Sequence, residues 1–215
     1  MSAGERPFAG KTNPIQDHLA SFDLGDTDHE ILGPAQPIGA NLAFRRRVFA
    51  DGLRFATNLG RIGGLLLSGE DTELVEAIRI RGGRVWYCAS AVVHHRIGGN
   101  RLTRKFYVQR HYWFGVSRSV MDRARGGLTY QLTRALGGAL FLPVVHIPAW
   151  LWASVTGDAG GRLMSTCSLS KLVGYWRGLT VATAPLPESQ QRVRRAHPKP
   201  ASPAIAVAAS GRGQP

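Results

Sequence analysis

The sequence predicts an α/β domain, followed by amphipathic and apolar helices and a disordered basic tail. Short apolar segments with the composition of strands flank one amphipathic helix within residues 37–130. A basic, aromatic helix and a long uncharged run come next, within residues 101–157. From Pro185 onward the chain consists largely of Pro, Ala, Ser and Arg without periodicity, which is typical of disorder.

The charge of the chain is strongly basic and unevenly distributed. Its 215 residues carry 27 Lys and Arg against 14 Asp and Glu, a formal net charge of +13. Residues 1–44 hold six acids and two bases, whereas residues 96–134 hold nine bases and one acid, Asp122. This excess favours an anionic partner, such as nucleic acid, a phosphorylated substrate or an acidic membrane face. The hydrophobic content of 44% excludes a chain that is disordered throughout.

The cysteines and the first residues predict a cytoplasmic location. Cys88 and Cys167 are far apart and lack a partner motif, which argues against a disulfide framework and fits a reducing compartment. The opening MSAGERPFAGKTNP lacks the apolar stretch of a signal peptide. We therefore expect the chain on the cytoplasmic side of the cell membrane.

The elements of the first half follow from composition and spacing. Residues 1–36 are rich in Gly, Pro, Asp and Thr and predict an irregular lead-in. IGANLAF, residues 38–44, predicts a short buried strand, and the following RRRVFADGLRF predicts a short helix closed by glycine. The segment NLGRIGGLLLSG predicts a loop with an apolar triplet that could cross the core.

A second helix is predicted to run to about Arg81, where Gly82 and Gly83 end it. Ser68 stands three residues before Asp71, the spacing of a helix-start box with a shorter acid. Two short strands are then expected at residues 85–88 and 91–94. The apolar face of the helix is formed by Leu74, Val75 and Ile78.

The second half of the sequence predicts helices and an apolar segment that is long enough to cross a membrane. A basic, aromatic helix is expected over residues 101–125 and a short amphipathic one over 170–179. The uncharged run 135–157, with His146 as its one titratable residue, is long enough to cross a hydrocarbon core of roughly 30 Å. Pro143 and Pro148 would kink it, so a re-entrant or interfacial helix pair is an equal alternative to a clean span.

Glu70 and Asp71 form an acidic pair at the start of the second helix. A carboxylate in the first turn faces unpaired N–H groups and the positive end of the helix dipole, which favours its ionised form. An ionised aspartate held there can serve as a base. The alternative is that Glu70, Asp71 and Glu73 only cap the helix.

These segments occur in a familiar order. The series GANLAFRRRVF, LGR and LLLSGEDTELVEAIRIRGGRVWYCASAVVHHRI closely resembles the C-terminal part of the catalytic domain of family 2 glycosyltransferases. The likeness is close from Gly39 to His95 and extends more loosely through RLTRKFYVQRHYWFGVSRS. It implies a partial GT-A-like (Rossmann-like) mixed sheet with flanking helices for residues 37–130. Residues 131–184 would form a membrane-associating helical region, and residues 185–215 the tail.

The resemblance implies an inverting transfer of a sugar from a nucleotide-sugar donor to a cell-envelope or polysaccharide acceptor. Asp71 matches the catalytic base that takes the proton from the acceptor hydroxyl, and Glu70 would support it and contact the acceptor. One carboxylate on the acceptor side suffices, because the nucleotide diphosphate leaves with help from a divalent metal, Mg or Mn. A glycoside hydrolase would require two facing carboxylic groups.

Other candidate site residues follow from the same resemblance and from charge. His95 matches the histidine that completes the divalent metal site in several members, although a solvated pair of His94 and His95 is an alternative. Arg101, Arg104 and Arg110 are candidates for contacts to diphosphate or to a phosphorylated acceptor, because guanidinium forks suit phosphate oxygens. The alternative for these arginines is a solvated basic face against lipid headgroups.

The nucleotide-binding half of such an enzyme is not recognisable in the sequence. Asp26-Thr27-Asp28 has the letters of a metal-binding D-x-D motif, but no apolar strand precedes it. The sequence therefore predicts an acceptor half whose donor half is truncated, is supplied by another polypeptide, or is absent because catalysis is lost. Two other classes are a non-catalytic membrane-associated or partner-binding fragment, and a nucleic-acid binder, for which no motif was found.

Overall fold

The structure, a computed structural model, describes residues 22–33, 35–62, 65–181 and Gln191. Helices make up about 60% of it. The strands are β1 (His29–Glu30), β2 (Arg61–Ile62), β3 (Leu65–Leu66) and β4 (Trp86–Tyr87). The α-helices are α1 (Arg47–Ala50), α2 (Glu70–Ile80), α3 (Arg104–Phe141), α4 (Ile147–Val155) and α5 (Ala159–Gly178). Short 3₁₀ helices cover Gly39–Asn41 and Gly99–Arg101, and a π-helix covers Leu142–His146.

The strands form two small antiparallel pairs. β1 pairs with β4, with His29 opposite Tyr87, and β2 pairs with β3. β4 confirms the strand predicted at 85–88. The strand predicted at 91–94 is wrong, because the N–H groups of Ala91 and Val92 close local turns onto Cys88 and Ser90 instead of meeting another strand.

The buried strand predicted at 38–44 is also wrong, because a 3₁₀ helix occupies its centre. The N–H of Asn41 bonds to the carbonyl of Ile38 at 3.1 Å, which closes the 3₁₀ turn. The N–H of Gly39 donates to the Asp71 side chain instead of to a neighbouring strand. Two backbone donors that a sheet would require are thus used elsewhere.

The two short helices pack on each other as their apolar patterns predict. Leu53, Leu74 and Ala77 form a buried cluster, against which Phe44, Val48, Phe49 and Ile78 pack. Gly52, with φ of +82°, follows α1, and Gly82, with φ of +76°, follows α2, so both predicted glycine stops are confirmed.

The predicted start of α2 requires a correction. Gly69 is the N-cap residue, with φ of +109°, and Ser68 makes no cap. The Ser68 N–H instead donates to Oγ of Ser117 at 2.9 Å, which ties the chain before α2 to α3.

α3 reverses direction at Gly127, whose backbone is non-helical, with φ of 72° and ψ of −172°. Nε2 of Gln131 donates to Oγ of Ser119 at 2.8 Å. In a straight helix, residues twelve positions apart would be about 18 Å apart. The hydrogen bond therefore requires two antiparallel legs, which we call the first leg (residues 104–126) and the outer leg (residues 128–155, which includes the π-helix and α4).

α5 returns along both legs and runs parallel to the first leg. Oγ of Ser170 donates to the carbonyl of Val108 at 2.8 Å, and Gly174 lies directly on the carbonyl of Tyr112. The sequence predicts only the second half of this helix, at 170–179. Its N-cap is Asp158, whose Oδ1 accepts from the Gly161 N–H at 2.9 Å.

A buried polar network holds the three helices together near Gly127. Asp122 is 0% exposed and accepts a hydrogen bond from the Tyr175 hydroxyl at 2.9 Å. Arg118 and Arg134 approach the same carboxylate at 3.1 and 3.6 Å. Burial and the Asp122 carboxylate raise the pKa of Tyr175 well above its usual range, so its hydroxyl stays a donor.

The N-terminal elements pack on the first leg. Ala56 and Leu59 form a buried cluster with Val120 and Met121. Glu73 of α2 is 1% exposed and binds Arg125, with Nη2 to Oε1 at 2.6 Å. The N-terminal, acidic end of α2 is thereby fixed on the first leg.

The apolar run 135–157 is helical as far as Val155, and the stretch Arg104–Val155 is long and apolar enough, by length and composition, to cross a membrane. The π-helix contains Pro143, and Pro148 lies in the first turn of α4, where a missing N–H is tolerated. The predicted tail, 185–215, lies outside the described residues except for Gln191.

Candidate active site

The acidic pair lies in the first turn of α2, and both residues are half-buried. Oδ2 of Asp71 accepts the Gly39 N–H at 2.9 Å, and Oδ1 accepts the Thr72 N–H at 2.7 Å. Both donors stabilise the ionised carboxylate, as does the positive end of the helix dipole. The Asp71 side chain is therefore fixed between α2 and the first 3₁₀ helix.

Three glycines let the backbone lie close to the pair. A Cβ on Gly39 would lie 2.8 Å from Oδ2 of Asp71, and one on Gly60 would lie 3.3 Å from the carboxyl carbon of Glu70. Gly60 and Gly69 have φ of +87° and +109°, a region that favours glycine. A side chain at Gly69 would also meet Sδ of Met121 at 2.9 Å. The shape of the site thus depends on backbone that carries no Cβ.

The 3₁₀ helix beside Asp71 also contacts the loop that contains the two histidines. Nδ2 of Asn41 donates to the carbonyl of Ala91, which belongs to the loop after β4. His94 and His95 are exposed in the same loop. The GAN segment thus contacts the ED segment through Gly39, and the loop that contains the two histidines through Asn41 and Ala91.

Arg110 lies between the two carboxylates and further basic side chains in electrostatic terms. Burial lowers the pKa of Arg110, Arg61 and Arg101 lower it further, and Glu70 and Asp71 raise it. The other two guanidinium groups and both carboxylates therefore lie within electrostatic range of Arg110. Oε2 of Glu70 is buried and has no hydrogen-bond partner among the described residues.

The three arginines predicted from the sequence, Arg101, Arg104 and Arg110, have different surroundings in the structure. The Arg110 guanidinium stacks over the Phe114 ring at 4.3 Å and interacts electrostatically with Glu70 and Asp71, whereas Arg101 acts on Arg110. Arg104 lies in the first turn of α3, where it lines a shallow apolar groove with Lys105, Val108 and Gln109. Arg61, which was not predicted from the sequence, acts electrostatically on Arg110 as Arg101 does.

The metal predicted for this site does not have a full set of ligands here. Among the described residues, no group of three or more His, Cys, Asp or Glu side chains could hold a metal ion. The Asp28 side chain of the apparent D-x-D accepts the Ala89 N–H at 2.7 Å, so it fixes the loop after β4.

The arrangement can hold an anionic base next to a cationic surface. The N–H groups of Gly39 and Thr72 fix the Asp71 carboxylate at the start of α2, where it can accept a proton from a hydroxyl group within hydrogen-bond reach. The neighbouring Arg61, Arg101 and Arg110 favour a ligand with negative charge.

No family model, curated protein or solved structure matches this chain.

Proposed function

We propose that this chain is the acceptor-side part of an inverting, family 2-like glycosyltransferase with a partial GT-A-like fold. It would transfer a sugar from a nucleotide-sugar donor to a glycan or lipid-linked acceptor of the cell envelope. The observation that carries the proposal is the hydrogen bond from Gly39 to Asp71. This bond joins the two segments on which the family resemblance depends most, GANLAF and GEDTEL, at one carboxylate.

Asp71 is the proposed general base. Its carboxylate takes the proton of the acceptor hydroxyl as the oxygen attacks the anomeric carbon, while the bond to the nucleotide diphosphate breaks on the opposite side. Attack from the opposite side inverts the anomeric configuration. A carboxylate fixed by two N–H donors needs little reorganisation during this step.

Glu70 and the arginines have proposed roles in binding. Glu70 would accept a hydrogen bond from the acceptor, because its buried Oε2 is available for a donor. Arg101 and Arg110, with Arg61, would attract the diphosphate or a phosphorylated acceptor. His95 and Arg104 remain candidates for the metal and for phosphate, and the donor-binding half with its metal ligands would be supplied by residues outside this sequence.

We also propose that transfer takes place at the cytoplasmic face of the cell membrane. Cys88 and Cys167 are both free, as fits a reducing compartment. The apolar helical stretch that ends at Val155 supports an association with the membrane.

The test is transfer of labelled sugar by membranes of the native cell, in which any partner polypeptide is present. Membranes with the chain should incorporate label from a nucleotide sugar into envelope glycan or lipid-linked material, and membranes from a deletion strain should not. Proton coupling at the anomeric centre of the product should report inversion. Equal incorporation by both membranes, or a retained configuration, would contradict the proposal.

A further inference from the structure

The outer leg exposes a long apolar stripe. Leu128, Leu132, Leu136 and Leu140 recur every four residues, which places them along one side of a helix. Leu136 is 58% exposed and Leu140 is 74% exposed. Further large exposed side chains follow towards the end of the leg, at Val144, Leu151, Trp152 and Val155. An apolar stripe of this length on a folded surface indicates an interaction site.

The opposite side of the outer leg is covered by the rest of the fold. Gln131 and Ala135 are 0% exposed, and Ala153 is also buried. A Cβ on Gly138 would lie 2.9 Å from the Leu172 side chain of α5. The leg is therefore already fixed against α5, and the stripe is the face that remains open.

The charges of the same region are almost all positive. Residues 104–178 contain ten Lys and Arg and two Asp. Of the two acids, Asp122 is buried and paired with Arg118 and Arg134. A helical unit that combines an exposed apolar stripe with a basic excess is complementary to an anionic lipid bilayer, which offers hydrocarbon beneath negative headgroups.

The packing of the helices opposes a crossing of the bilayer. Ser170 lies beside Val108, so Ala159 at the start of α5 extends only about 10 Å beyond Arg104 at the start of the first leg. A hairpin that crossed a core of roughly 30 Å would draw the first leg into hydrocarbon. That leg carries six Lys and Arg, from Arg104 to Arg125. Such charges are costly at membrane depth.

We propose that the outer leg docks side-on on one leaflet of an anionic bilayer, parallel to the membrane plane, and does not cross it. The leucine stripe enters the boundary between headgroups and acyl chains, and Trp152 lies at the depth that tryptophan prefers. The inference rests on the membrane location proposed above and not on the transfer chemistry. Its test therefore uses no donor sugar, and its failure would leave the transfer assay unaffected.

The first experiment measures sedimentation of the full chain with vesicles of phosphatidylcholine containing phosphatidylglycerol. Replacing Leu136 and Leu140 together by Gln should lower the partition coefficient by at least about tenfold, because two apolar side chains leave the lipid. The matched control replaces Leu102 and Leu32, which are 58% and 77% exposed but lie outside the stripe. It should bind as the wild type does. Unchanged melting temperatures should show that both variants fold.

Two outcomes of this experiment would overturn the proposal. Equal binding to pure phosphatidylcholine vesicles would remove the role of anionic lipid. A lipid-free dimer that L136Q/L140Q dissociates, together with no vesicle binding by the wild type, would assign the stripe to a second copy of the chain. Light scattering after size exclusion gives the oligomeric state.

The second experiment distinguishes docking from crossing. Thr156→Cys, made in a Cys88→Ser background, places a thiol in the turn between α4 and α5, and the remaining Cys167 is buried. A membrane-impermeant maleimide enclosed in the vesicles, with none outside, should leave protein that is bound from the outside unlabelled. Labelling from within intact vesicles would show that the turn has crossed, and would overturn the proposal.

Discussion

Around Glu70 and Asp71, the backbone approaches carboxylate side chains at Gly39 and Gly60, whereas α3 and α5 approach each other backbone to backbone at Gly115 and Gly174. A side chain that an added Cβ would touch can rotate away. A helix backbone can make room only if one helix moves away from the other. The same residue type thus sets the position of a functional group in one region and the distance between two helices in the other. Substitutions at glycine should separate function from stability accordingly.

The largest effect on stability is expected for Gly174→Ala. The added Cβ would overlap the carbonyl oxygen of Tyr112, so α5 must move off the first leg. We expect a loss of about 3 kcal/mol in the free energy of unfolding, or about 10 °C in melting temperature. Thermal denaturation followed by circular dichroism measures it.

Gly137→Ala is the matched control in the same helical region. A Cβ on Gly137 would meet no atom within 4 Å. Its helix propensity should then raise stability slightly, by about 0.5 kcal/mol. A Gly174→Ala protein that melts with the control would refute the close contact of α3 and α5.

A smaller effect is expected at the contact that joins the two regions. Glu73→Gln removes the charge that faces Arg125 across 2.6 Å and leaves a partly buried guanidinium without its partner. Because the Arg125 side chain is 21% exposed, water compensates in part, and we expect a loss of about 2 kcal/mol. Chemical denaturation gives the free energy of unfolding.

Glu30→Gln serves as the comparison, because it breaks the ion pair of Glu30 with Arg84 at the surface. The Arg84 side chain is 63% exposed. A loss of about 0.5 kcal/mol or less is expected for such an ion pair. Equal losses for Glu73→Gln and Glu30→Gln would mean that Glu73 does not fix α2 on the first leg.

The smallest effect on stability, and a large one on function, is expected for Gly39→Ala. The new methyl group would lie 2.8 Å from Oδ2 of Asp71, which can rotate away at little cost. Stability should change by less than about 1 kcal/mol, while sugar transfer should fall about 100-fold because the base is misplaced. The rate of transfer by membranes and the melting temperature are measured together.

Gly99→Ala, at a position where a Cβ meets no atom within 4 Å, should leave both quantities unchanged. If Gly39→Ala transfers sugar at the rate of this control, the backbone of Gly39 does not set the position of Asp71.

Local patterns predicted those parts of the fold whose partners are near in sequence. The spacing of Leu74, Val75 and Ile78 gave α2, and Gly52 and Gly82 gave the ends of two helices. Aspartate is a common N-cap residue, so Asp158 could have predicted the start of α5 from the sequence. Gly174 and Gly178 have the spacing of a helix contact, and only the structure shows that both lie against the first leg.

Contacts between distant segments were not predictable in the same way. The strand expected at 38–44 failed because Asp71, more than 30 positions away, takes the Gly39 N–H. Serine is a common helix-capping residue, but the Ser68 N–H donates to Oγ of Ser117, and Gly69 is the N-cap residue of α2. Glu73 looks like a capping acid in sequence, and its ion pair with Arg125 depends on how α2 lies on the first leg. The site itself, centred on Glu70 and Asp71, came from the order of motifs and not from periodicity.

The most direct test of the account compares two aspartates that both lie at helix starts. Asp71→Asn keeps a side-chain oxygen for hydrogen bonding but removes the base, while Asp158→Asn removes a charge at the start of α5 and keeps a capping residue. The account predicts that sugar transfer by membranes falls by about 100-fold or more for Asp71→Asn and stays at the wild-type rate for Asp158→Asn. Equal transfer rates for the two folded variants would contradict the role of Asp71 as the base.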